Sequence, residues 1–147
     1  MKKLFFIFMA VLFVGCNPDS DTDESPPINL SGNLNQEPVS ITSGFCEISK
    51  SNDLVMVTAG TNRAFTKGVL LFFSSLDVAK QQVYTLPSSV LTAGYSANIT
   101  ATGGTVDITS LTKSDTTIQS IAGSFRLSFS GDNTGSLTGT FNCPAGS

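Results

Sequence analysis

The chain has 147 residues, enough for one ordinary domain. It carries 8 Lys plus Arg against 11 Asp plus Glu, a formal net charge of -3, and it has no His and no Trp. Absence of His excludes a Ser-His or Cys-His nucleophile pair and a His-ligated zinc, and a pI near 4.6 argues against nucleic acid as a partner, since such binding draws on clustered Lys and Arg.

The N-terminus reads Met1-Lys2-Lys3, then an apolar run from Leu4 to Val14, then Gly15 and Cys16. A basic start, an apolar run too short to span a bilayer and a small residue mark residues 1–15 as a secretory signal peptide. The tetrad Phe13-Val14-Gly15-Cys16 resembles the lipobox of bacterial lipoproteins. That resemblance implies acylation of Cys16, with palmitate among the chains, and makes it the first residue of the mature protein. Each buried methylene contributes about 0.8 kcal/mol, so several acyl chains hold a protein durably. The membrane is therefore an expected partner through the lipid on Cys16. Cleavage there removes Lys2 and Lys3 and takes the formal charge from -3 to -5.

Residues 16–27 read as a tether. Asp19, Asp21, Asp23 and Glu24 repel one another, and Pro18, Pro26 and Pro27 disfavour helix. No apolar residue follows Cys16 in this stretch to nucleate a core, so the segment is expected to be disordered. An acidic stretch just after the lipidated cysteine resembles the export signal that sends some Gram-negative lipoproteins to the outer face of the outer membrane. Asn17, in place of Asp, fits outer-membrane sorting. The expected location is the cell envelope, lipid-anchored in the outer membrane and exposed at the cell surface.

From Ile28 to Ser147 the composition changes to Ser, Thr, Gly and Asn interleaved with Val, Ile, Leu and Phe. Ile28 to Leu34, Phe45 to Ser49, Leu54 to Ala59 and Val69 to Phe73 read as strands. The last is apolar on both faces, which suits a central strand. Ser75 to Gln82 is compatible with one or two helical turns capped by Ser74 or Ser75. Tyr95 to Ala101 alternates, as do Thr105 to Thr109 and Ser136 to Cys143. The clearest stretch is Ile121 to Ser130, where Ile121, Gly123, Phe125, Leu127 and Phe129 share one face and Ser124, Arg126 and Ser128 the other. Thr102-Gly103-Gly104 and Gly131 to Gly135 supply the turn residues between them. About eight short strands with such turns predict an all-β domain, an antiparallel β-sandwich or a small barrel.

With Cys16 taken by lipid, Cys46 and Cys143 remain. In an exported protein they are most simply a disulfide, two buried free thiols being the alternative. If Cys46 points inward, Phe45 faces outward, toward either a partner or a second covering sheet.

Gly104-Thr-Val-Asp-Ile-Thr109, Ile121-Ala-Gly-Ser-Phe125 and Leu137-Thr-Gly-Thr-Phe141, with Tyr84-Thr-Leu86 before them, resemble the "G-x-V-x-I-T … G-x-F … G-x-F" signature of small lipoproteins of unknown function from Gram-negative bacteria. The resemblance covers roughly residues 80 to 143. It implies an all-β lipoprotein domain and carries over no catalytic or binding residue. Asp115-Thr116-Thr117 is similar to the O-glycan acceptor pattern of that bacterial group, which makes Thr116 the candidate glycosylation site.

Chemistry is otherwise sparse. A hydrolase built on two of Glu37, Glu47, Asp107 and Asp115 would need them beside one pocket. Sugar sites offer aromatic platforms, and only Tyr84 and Tyr95 have a suitable polar rim. Asp132 to Gly135 lacks the alternating carboxylates of a calcium loop and reads as a hairpin turn. Neither a metal nor a cofactor is expected. The expected function is non-enzymatic: a β-domain on an acidic leash that binds a glycan or an envelope protein. The alternatives are a structural subunit of an envelope assembly, docking by strand pairing, and the carboxylate hydrolase.

Overall fold

The computed structural model describes residues 27–61 and 67–145. The leader, Cys16 and the tether up to residue 26 lie outside the described residues. Eleven strands follow one another: β1 (Ile28–Leu34), β2 (Glu37–Ile41), β3 (Phe45–Ser51), β4 (Leu54–Gly60), β5 (Gly68–Phe73), β6 (Val83–Leu86), β7 (Leu91–Tyr95), β8 (Ile99–Thr100), β9 (Gly103–Lys113), β10 (Ile118–Phe129) and β11 (Gly135–Cys143). They form a six-stranded sheet, ordered β2-β1-β11-β10-β9-β6, and a five-stranded sheet, ordered β3-β4-β5-β7-β8. Every pairing is antiparallel. Two separate sheets facing across one core make this a β-sandwich, not a closed barrel.

The period-two pattern decides what fills the core. Ile121, Phe125, Leu127 and Phe129 of β10 are buried, whereas Arg126 and Ser128 are exposed. Leu137, Phe141 and Cys143 of β11 join them from one sheet. Val55, Val57, Leu71 and Phe73 close the core from the other, each at most 1% exposed. β5 is a central strand, as its doubly apolar sequence requires. Val69, Leu71 and Phe73 face the core, while Leu70 lies on the opposite face and is still only 5% exposed.

Cys46 and Cys143 lie at disulfide distance, with Cα atoms 5.2 Å apart across 97 positions of sequence, linking the edge of one sheet to the last strand of the other. Cys46 is buried and Phe45, its neighbour of opposite parity, is half-buried on the face turned away from the core. The described residues form two sheets only, so no further sheet covers Phe45.

Two local expectations are corrected, and one strand runs further than its alternation. Tyr95 to Ala101 is not one strand: Ser96 adopts a φ of 58°, the chain reverses, and Tyr95 pairs with Ile99. Residues 75–82 form bends and turns and no helix. Their carbonyls are claimed from outside, those of Leu76 and Ala79 by the Lys113 ammonium (3.2 and 2.9 Å) and those of Val78 and Lys80 by the Tyr84 hydroxyl (2.7 and 3.2 Å). Residues Ser110 to Lys113 continue β9. A bulge at Thr109 shifts the register, so that Ile108 opposes Gly123 while Ser110 opposes Ala122, and the inward parity resumes at Leu111.

Candidate functional site

The β1–β2 hairpin turns on Asn35 and Gln36, which adopt φ of 54° and 67°. Two consecutive residues of positive φ make the tight two-residue reversal whose twist matches the strands it joins. Asn35 is fixed further by the β10–β11 turn. Its amide donates to the Asn133 side-chain oxygen (3.0 Å), its side-chain oxygen accepts from the Thr134 N–H (2.8 Å), and its own N–H donates to the Thr134 carbonyl (2.7 Å).

Across from this hairpin stand the β7–β8 turn and Lys67. Between them opens a cleft of about 390 Å³, lined by Leu34, Glu37, Val39, Lys67, Tyr95 and Ile99 among others. Strand parity explains the lining. Leu34 pairs with Glu37, and Glu37 shares the parity of Val39 and of buried Ile41, so a carboxylate occupies the inward face where that sheet ends. Tyr95 likewise shares the parity of buried Leu91 and Ala93. Glu37 and Lys67 are exposed and give the cleft one charge of each sign.

The two tyrosines part company here. Tyr84 is 4% exposed and its hydroxyl is saturated, accepting from the Lys80 N–H (2.7 Å) besides donating toward the Val78 and Lys80 carbonyls. Its ring stands edge-on to Phe73, with centroids 5.8 Å apart. Tyr84 is a structural clasp. Tyr95 is 6% exposed, and its hydroxyl has no hydrogen-bond partner among the described residues and is not sealed from solvent. Burial raises its pKa above 10.0, because a phenolate there would lose water.

The acidic candidates are scattered. Glu37 lies on the cleft, Glu47 on the outward face of β3, Asp107 on β9 opposite Ser124, and Asp115 in the β9–β10 turn. A second, shallower hollow of about 190 Å³ holds Lys50, Asp53, Asp77 and Asp115. Neither hollow brings two of the four together. Among the described residues no three His, Cys, Asp or Glu side chains are placed to hold a metal.

Thr116 is exposed in the β9–β10 turn, where its carbonyl accepts from the Lys50 ammonium (2.9 Å). Sequence reasoning did not bring Glu37, Lys67 and Tyr95 to one cleft, since the residues come from three separate segments. The readable signal was Glu37 itself, an acidic residue at an inward position. No family model matches the chain, and no similar curated protein or solved structure is found.

Proposed function

We propose that the chain is an outer-membrane lipoprotein, anchored through Cys16, whose β-sandwich is displayed at the cell surface and serves as a non-catalytic binding module. The observation that carries this reading is the order of segments in the sequence: Lys2-Lys3, an apolar run ending at Gly15-Cys16, an acidic Pro-rich stretch, then a self-contained sandwich beginning at Ile28. An open cleft with Glu37, Lys67 and a phenol without a partner among the described residues gives such a module somewhere to bind.

The test is expression of the full chain in a Gram-negative host with labelled palmitate. Label should enter the wild type and be lost in Cys16→Ser, the wild type should fractionate with the outer membrane, and protease added to intact cells should remove the domain. An unacylated mature chain in the soluble fraction overturns the reading. A second reading, a subunit of an envelope assembly, draws on Val83, 59% exposed on the edge strand β6. It predicts co-purification of a stoichiometric envelope protein after gentle solubilisation.

A further inference from the structure

We infer that the cleft between the β1–β2 and β7–β8 hairpins is a binding site for a small neutral carbohydrate, a mono- or disaccharide unit. The inference deepens the binding reading above and rests on it. At about 390 Å³ the cleft stands at the small end of ligand sites, whose volumes run from about 300 to 1,000 Å³.

Its chemistry narrows the ligand further. Leu34, Val39, Ile99 and Tyr95 contribute the apolar part of its lining. Polar groups frame it: Glu37 accepts only, Lys67 donates only, and the Tyr95 hydroxyl does both. A sugar ring has the matching make-up, an apolar C–H face bordered by hydroxyls that donate and accept. Among the described residues the lining carries one Lys and one Glu, a balance that suits a neutral ligand. One carboxylate alone does not make a site for a divalent cation.

Tyr95 supplies the independent sign. Buried tyrosines ordinarily find a partner for the hydroxyl, as Tyr84 does with three contacts. Tyr95 as a residue is only 6% exposed, yet its hydroxyl has no partner among the described residues and Tyr95 lines an open cleft. A ligand hydroxyl arriving there meets a group open to the cleft, on a residue held in place by the sheet. The hairpin opposite is equally fixed, through Asn35 and the β10–β11 turn.

The experiment uses the full chain, purified in a detergent without a sugar headgroup. It is titrated by calorimetry and by saturation-transfer NMR with the methyl glycosides of glucose, galactose, mannose and N-acetylglucosamine, and with maltose and lactose. Galacturonate and leucine serve as anionic and zwitterionic competitors. At least one neutral sugar should saturate, and Tyr95→Phe and Glu37→Gln should each weaken it about tenfold or more at unchanged melting temperature. Arg126→Ser, on the outward face of β10, should bind as the wild type does. Absence of saturation by every neutral sugar overturns the inference, as do stronger binding of galacturonate or leucine and indifference to both cleft variants. Failure here with Cys16 still acylated removes the carbohydrate alone, and loss of acylation with binding intact removes the anchor alone.

Discussion

Tyr84 and Tyr95 occupy inward positions on neighbouring elements, and the fate of one oxygen atom separates them. Tyr84→Phe strands the Lys80 N–H and should cost about 1–3 kcal/mol in urea unfolding. Tyr95→Phe removes a hydroxyl without a partner and should leave stability nearly unchanged. The raised Tyr95 pKa has a definite consequence: the folded state holds the phenolic proton more tightly than the unfolded state does. Its contribution is fully present below pH 10.0 and is lost as pH rises through the folded pKa. Alkaline unfolding curves should therefore steepen above pH 10 in the wild type and less in Tyr95→Phe. Glycines divide in a similar way. Gly104 has a φ of 117°, and a Cβ there would collide with the Arg126 carbonyl oxygen inside the β9–β10 ladder. Gly131 has a φ of 89° in an open turn with nothing near. Gly104→Ala should cost about 3 kcal/mol or more, and Gly131→Ala about 1–2 kcal/mol, by thermal denaturation.

At the level of elements, β10 and β11 were readable because alternation and burial coincide residue by residue from Ile121 to Phe129 and again at Leu137, Phe141 and Cys143. Legibility ends where the backbone departs from a plain extended form. The bulge at Thr109 moves the inward parity by one, so Leu111 looks misplaced in sequence although it packs against the core. Ser96 breaks an alternating run by turning left-handed, and the turn formers Ser96 and Asn98 are masked there by polar positions that fit an alternating strand equally well. Residues 75–82 carry helical residues, but Lys113 and Tyr84 take their carbonyls, and both come from strands later in the chain. Asn35 is a test of the same kind, since its value lies in a partner 98 residues away. Asn35→Ala should cost about 2 kcal/mol, losing two side-chain hydrogen bonds and an amino acid tolerant of positive φ. Asn35→Asp keeps the acceptor and should cost about half of that.

For the whole molecule, the sandwich was legible and the cleft was not. Periodicity reports which face of a strand is buried, and it is silent about which hairpins meet. Glu37, Lys67 and Tyr95 converge only because the first hairpin of one sheet lies against the last hairpin of the other. The cysteine pair was the simpler of two expectations, a disulfide or two buried free thiols, and the 5.2 Å between the Cα atoms fits the first. Replacing both by Ala should lower stability by up to about 4–5 kcal/mol, read as a fall in urea midpoint at unchanged cleft chemistry.

The pairing of β1 with β11 joins Ile28 to Phe141 and leaves the larger sheet split until residues near the C-terminus arrive. A nascent chain still missing its final strand has β1 and β10 with nothing between them. Synthesis must therefore pass Cys143 before the body can set. For a polypeptide that threads a translocon before folding, as we propose of this one, that order is useful: the strand that locks the sheet crosses after the ten others.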